Sequence, residues 1–374
     1  MHPLYPYLHR IQYPHSGLME SFAQSRQEYL HQVAFTYDLA LAAIVFTHHG
    51  SLEEAARILE FFRSMPLPTS NGLNFRTAYH VWRRTPVLEE ALQIGPIAWA
   101  ALALIRYTEC TQQRLYLYKA ISLLDWIRSH VAHAQGGLVM GIDGPWTSRM
   151  SAENNWAYYA ALRAAVRLMP DGPQRWAFEE EERCVRQWLA RYPGNRGHND
   201  PVKALDVYTS ALLVGPASHL EHVFMGDPRA LAQWVKPWIQ EMIALFRVQG
   251  TAAFDYAESS EARRANRARV GWLEGTEQAS LALRVWAPWF RVMGDVTFAN
   301  EIESLGIAAH NYVTNHCLTI NGAVAIPNTD SREPVLTFAD GWLARPVQEP
   351  ALNGTTWAYL SDVGYNPYTA SLHP

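Results

Sequence analysis

The chain has 374 residues, enough for one large or two ordinary domains, and 49% of them are hydrophobic, so a sizeable core is available. A formal charge of −4 argues against nucleic acid or an anionic membrane as partner. The three scattered cysteines, Cys110, Cys184 and Cys317, lack CxxC spacing and argue against a structural zinc site, while no apolar run reaches the roughly 18 residues of a membrane span.

The first ten residues show no basic segment followed by a long apolar stretch, so no signal peptide is read and a cytoplasmic, soluble protein is expected. Apolar residues then recur at helical spacing along the chain. The first helical pair is placed at 28–46 and 51–64. Gly50 closes one helix, and Ser51 with Glu54 three residues on reads as a capping box. Pro66 and Pro68 stop the second helix, and a long loop runs to Leu92.

The second pair is placed at 95–109 and 114–132. Gly136, Gly137, Gly141 and Gly144-Pro145 mark another long loop, in which 138–140 reads as a short strand. The third pair is placed at 152–168 and 173–191, with Pro173 at a helix start, where proline is tolerated. Helices at 204–214, 228–248, 274–292, 295–315 and 352–363 complete a set of eleven. Ala-rich members alternate with members that carry wide charged faces. Inner helices wrapped by outer ones, with long loops on one face and short turns on the other, describe an all-α (α/α)6 toroid, a single domain over 1–374. The sixth pair lacks its outer helix, and residues 17–30 are expected to fill that place.

Six stretches open apolar helices at steps of roughly 50–80 residues, the signature of a repeat architecture. They are Thr36-Tyr37-Asp38, Gly95-Pro96-Ile97-Ala98-Trp99, Ser151-Ala152-Glu153-Asn154, Leu205-Asp206-Val207-Tyr208, Leu273-Glu274-Gly275-Thr276 and Asn353-Gly354-Thr355-Thr356-Trp357. Four of them place a carboxylate in the first turn: Asp38, Glu153, Asp206 and Glu274. Helix dipoles favour such charges by about 0.3–1 kcal/mol each, whereas burial and mutual repulsion raise the pKa of the most desolvated one. An acid and a base separated in this way are what glycosidic cleavage requires. Taken singly, each carboxylate also reads as ordinary first-turn enrichment. The site rests on their coincidence and on the neighbouring aromatic residues Tyr37, Trp99, Trp156, Tyr208, Trp272 and Trp357, whose flat faces suit sugar rings. Asn154 and Gln278 join these as candidate substrate contacts.

Other motifs have simpler readings. His48-His49 suits a helix C-terminus, Glu179–Glu182 a solvated face, and His198-Asn199-Asp200 a turn. Arg263, Arg264, Arg267 and Arg269 read as an exposed basic run, or as a grip on an acidic sugar. GxGxxG, P-loop, HExxH and GxSxG motifs are absent, and no cofactor or metal is expected.

At these positions the chain resembles the six-hairpin glycosidase superfamily, and most of all a bacterial branch of toroid proteins linked to polysaccharide metabolism. The pieces that carry the resemblance are Gly17-Leu18-Met19-Glu20-Ser21-Phe22, Thr36-Tyr37-Asp38-Leu39-Ala40-Leu41, Ser151-Ala152-Glu153-Asn154-Asn155, Ala204-Leu205-Asp206-Val207, Trp272-Leu273-Glu274-Gly275-Thr276-Glu277-Gln278, and Thr356-Trp357 with Asn366-Pro367-Tyr368. The resemblance implies a toroid among relatives that include hydrolases, polysaccharide lyases and sugar epimerases. One departure stands out: Asn154 occupies the place of a histidine in the expected Ser-Thr-Glu-His-Asn. The expectation is a carbohydrate-active enzyme hydrolysing an oligo- or polysaccharide, with Asp38 and Glu274 as acid and base and Glu153 and Asp206 orienting hydroxyls. The alternatives are a non-catalytic sugar-binding toroid, or a lyase or epimerase of uronic acids.

Overall fold

The computed structural model describes residues 2–68, 75–87, 92–134, 136–191, 203–214, 228–339 and 341–369. Its α-helices are α1 (Tyr5–Ile11), α2 (Thr36–His49), α3 (Leu52–Ser64), α4 (Ile94–Thr111), α5 (Arg114–His130), α6 (Ala152–Leu168), α7 (Pro173–Arg191), α8 (Leu205–Val214), α9 (Pro228–Phe246), α10 (Ser259–Arg264), α11 (Leu273–Val292), α12 (Val296–Thr314) and α13 (Leu352–Asp362). The expected segment His198-Asn199-Asp200 lies outside the described residues.

Two compact units share the chain: an N-terminal unit, Leu8–Pro201, and a C-terminal unit, Met1–Tyr7 with Val202–Pro374. In the N-terminal unit three hairpins repeat, α2 with α3, α4 with α5 and α6 with α7, and α4 packs between α2 and α6. The inner helices have no polar face to give to water. All of α2 from Asp38 to Thr47 is buried, and so is most of α4 from Ile94 to Thr108. The outer helix α3 buries only Ala55, Ile58, Leu59, Phe61 and Phe62, a stripe at helical spacing. Short turns join each inner helix to its outer partner. At the first of them Gly50 takes φ +84°, the left-handed cap for which glycine has no steric penalty, and its N–H reaches Phe46 O and Thr47 O.

In the C-terminal unit α11 packs against α8, α12 and α13, and α8 against α9. The connecting segments tie down the helix starts. Leu205 N–H donates to Tyr256 O (3.0 Å), Leu273 N–H to Asn328 O (3.0 Å) and Ala351 N–H to Ile326 O (2.8 Å). Among the described residues, four two-stranded antiparallel sheets decorate the loops: β1 (Val33–Phe35) with β2 (Ala78–His80), β3 (His133–Ala134) with β4 (Gly137–Leu138), β5 (Leu318–Ile320) with β6 (Ala323–Ala325), and β7 (Val335–Leu336) with β8 (Leu343–Ala344).

Several expectations are corrected. The helix expected over 28–46 begins only at Thr36. A 3-10 turn (Glu28–Leu30) precedes it, Gln32 takes φ +60°, and Val33–Phe35 forms β1 because its backbone pairs with 78–80. Residues 17–30 contain no α-helix. Instead the chain start meets α13: His2 Nε2 lies 2.8 Å from Asp362 Oδ2, and its ring sits edge-on to Tyr359 at 4.5 Å. Ser51 makes no capping bond with its side chain; its hydroxyl meets His49 Nδ1 at 2.9 Å. Within Glu179–Glu182, Glu181 is buried, with Tyr158 Oη at 3.3 Å and His133 Nε2 at 3.4 Å, so that face is only partly solvated.

Candidate functional site

In the N-terminal unit the candidate residues stand at the starts of α2, α4 and α6. Asp38, in the first turn of α2, is 2% exposed, and among the described residues its Oδ2 has no hydrogen-bond partner. Burial pushes its carboxyl up to about 7, against a smaller downward pull from the Ser21 hydroxyl. Ser21 is held in turn by its own N–H to Val33 O (2.9 Å) and by its hydroxyl, which accepts from Phe35 N–H (2.8 Å). An aspartic acid in this state keeps a substantial protonated fraction at neutral pH and can give a proton away.

Tyr37, half-buried beside Asp38, meets the ring of Trp99 edge-on at 5.2 Å, which joins the starts of α2 and α4. Gly95 joins α4 to α6. A Cβ on it would sit 2.2 Å from Asn154 Oδ1, so only glycine admits this approach. Ser151 caps α6 by accepting from Asn154 N–H (3.3 Å). Asn155 is structural: its Oδ1 accepts from Leu138 N–H and its Nδ2 donates to Leu138 O, both at 2.9 Å. Asn154 differs, because its buried Nδ2 has no partner. Glu153 is half-buried beside it.

In the C-terminal unit Glu274 stands in the first turn of α11 and is 4% exposed. Gln278 Nε2 donates to Glu274 Oε1 (3.2 Å), and Gln278 Oε1 accepts from the Thr209 hydroxyl of α8 (2.7 Å). Trp272 is the N-cap residue of α11, and its indole stacks on Tyr256 at 4.4 Å with planes 16° apart. Gly275 makes room for that indole, since a Cβ there would lie 2.2 Å from the ring. Asp206 is half-buried, and its Oδ1 accepts from Val207 N–H (2.9 Å).

Trp99, Trp156, Trp357 and Tyr208 are all buried. Tyr208 rests on Trp238 (5.5 Å) and Phe246 (5.2 Å), and Trp357 faces Tyr368 at 6.4 Å. The basic run is corrected most sharply. Arg267 and Arg269 are not an exposed grip but the counter-charges of Asp255, which is 0% exposed. Asp255 Oδ1 takes Arg267 Nη2 at 2.7 Å, and its Oδ2 takes Arg269 Nε at 2.9 Å and Val270 N–H at 3.1 Å.

Three groups had no sequence signal. Asp330 accepts from Gly271 N–H (2.9 Å) and from the Tyr312 hydroxyl (2.6 Å), and so holds the approach to α11. Glu277, buried one turn after Glu274, meets His310 Nδ1 at 3.0 Å; burial raises its carboxyl, and its hydrogen bond raises the imidazole. Asn328 lies under Tyr256 (3.0 Å). Among the described residues no group of three or more His, Cys, Asp or Glu side chains is placed to hold a metal ion, and no helix is long and apolar enough to cross a membrane.

No protein-family model matches the sequence, and no curated relative does. Solved structures do match across nearly the whole chain. A cellobiose 2-epimerase from Spirochaeta thermophila DSM 6192 gives a TM-score of 0.70 at 13% identity, over 98% of this chain and 93% of that one. The likeness shows the fold, an (α/α)6 toroid. A sugar epimerase from a ruminal bacterium gives a TM-score of 0.66 at 11% identity, over 96% of each chain. A glycosidase in complex with glucose gives 0.64 at 10% identity, over 96% of this chain and 94% of that one. At such identities the likeness carries the fold, and chemistry has to be argued from the side chains.

Proposed function

We propose that the protein is a carbohydrate-active enzyme that hydrolyses a glycosidic bond of an oligo- or polysaccharide. The observation that carries this reading is Asp38. It is a buried carboxyl with an unpartnered Oδ2, held near neutral pKa at the start of an inner helix. Such a group protonates a departing glycosidic oxygen. The reading gives Glu274, oriented by Gln278, the role of the ionised carboxylate, and Glu153 and Asp206 contacts to sugar hydroxyls. Each role is tested on its own residue. Tyr37, Asn154 and Trp272 are the proposed sugar contacts. The names of the similar structures, cellobiose 2-epimerase and glycosidase, support a sugar as substrate.

Epimerisation is the second reading, and it is favoured by the whole-chain likeness to cellobiose 2-epimerases. A panel of cello-, manno-, xylo- and uronate-containing oligosaccharides, incubated with the protein in deuterated buffer, separates the two. New reducing ends support hydrolysis. Deuterium and inversion at C2 without chain cleavage replace it with epimerisation. Binding with no product in any arm makes the protein a sugar-binding toroid.

A further inference from the structure

Among the described residues, a buried guanidinium in the C-terminal unit is left without a balancing anion. Arg345 directly follows β8 and is 0% exposed. Its Nε donates to Leu343 O at 3.1 Å, its Nη2 bonds the same carbonyl, and its buried Nη1 has no partner. Among the described residues no carboxylate is hydrogen-bonded to it. A charge taken out of water without counter-charge is strongly disfavoured, so such a group persists where a ligand completes it.

Asn328 supplies the second observation. Its Oδ1 accepts from Arg345 N–H (2.9 Å) and from the Tyr256 hydroxyl (3.0 Å). A main-chain N–H needs an acceptor, so the amide orientation is settled by chemistry and Nδ2 is a donor. That Nδ2 is buried and has no partner. Trp272, stacked on the same Tyr256, has a buried Nε1 without partner as well. All three vacancies are donors, and one of them carries a full positive charge. Leu273 N–H to Asn328 O (3.0 Å) ties the cluster to the start of α11, where Glu274 stands.

The geometry points to an anion-binding subsite formed by Arg345 and Asn328 with Trp272, which takes the carboxylate of an acidic sugar. Arg267 and Arg269 are held by Asp255, so Arg345 is the arginine that supplies the charge. The planar guanidinium fork suits a carboxylate. The choice of a sugar rests on the carbohydrate reading above; the choice of an anion does not.

The test is thermal unfolding of the full chain with sodium D-glucuronate, D-glucose or sodium sulfate at matched ionic strength. Glucuronate is expected to raise Tm by roughly 3–5 °C at about 100 times Kd, with no response to glucose. Asn328→Asp places a carboxylate oxygen where Nδ2 stands and keeps the Oδ1 acceptor. This variant is expected to melt above wild type without ligand and to lose the glucuronate response. Trp272→Phe keeps the ring and removes one donor, and is expected to weaken glucuronate binding about tenfold even where Asn328→Asp fails to fold. An equal response to glucose or to sulfate, or unchanged binding in the variants, overturns the proposal. Glucuronate binding without turnover of any oligosaccharide leaves this subsite standing and removes the hydrolytic reading; turnover of neutral oligosaccharides without glucuronate binding does the reverse.

Discussion

The starts of α2 and α11 occupy the same slot of the repeat, one in each unit, and their carboxylates live in different surroundings. Asp38 is desolvated, with one oxygen unpartnered among the described residues, and its carboxyl is pushed up to about 7. Glu274 receives a hydrogen bond from Gln278, which is itself fixed by Thr209. The approach to α11 is braced by Asp255 with two arginines and by Asp330 with Tyr312, whereas Ser21, the hydroxyl facing Asp38, is held through backbone bonds to β1. Equivalent places in a repeated hairpin thus acquire different hydrogen-bonding surroundings, because packing, not position, decides which partners reach them.

The largest expected effect breaks that contrast directly. Asp38→Asn removes the proton donor and should lower kcat by about 10²–10⁴-fold, read on whichever oligosaccharide turns over. The same variant carries a stability signature. A carboxyl titrating near 3.8 when unfolded and about 7 when folded destabilises the native state by roughly 4 kcal/mol above pH 7. The penalty is absent below the unfolded pKa, grows as pH rises from about 4 to 7, and is constant beyond. Urea titrations should therefore show Asp38→Asn gaining on wild type over that window; equal pH dependence of the two proteins would mean Asp38 is solvated.

Next comes the brace of the other unit. Asp255→Asn strands Arg267 and Arg269 in a buried setting and should cost about 3–5 kcal/mol in chemical denaturation. A loss below about 1 kcal/mol would show that the arginines reach solvent. The smallest effect sharpens the contrast at Glu274. Gln278→Met removes the donor to its carboxylate and the partner of Thr209, and should cost about 1 kcal/mol of stability. Urea denaturation reads that loss, and an unchanged midpoint would show that the bond to Glu274 contributes nothing to stability.

The inner helices and their starts were legible because they obey local rules. Thr36-Tyr37-Asp38 opens a helix with an acid in its first turn, and the apolar run behind it has no polar face. Asn154 and Gln278 could be placed beside the helix starts for the same reason, since each sits within a turn or two of one. The first boundary was misread because Val33-Ala34-Phe35 continues the apolar pattern, while its strand partner lies more than forty residues on, at Ala78–His80. Arg267 and Arg269 looked exposed because a basic run in a loop carries no periodicity, and Asp255 is paired with them only through the turn of α10. Asn328 and Arg345 gave no signal at all, since an unsatisfied donor is defined by what surrounds it.

By itself the sequence determined the helical hairpins, their inner and outer roles and the recurrence of carboxylates at helix starts. Periodicity, caps and first-turn charges act over a few residues, so they can be read from neighbours along the chain. The tertiary structure alone decided which of those carboxylates is stripped of water, which arginines are consumed as counter-ions and which buried polar atoms find no protein partner among the described residues. Desolvation and hydrogen bonding sum over everything within a few ångströms, and in this chain those neighbours come from distant loops.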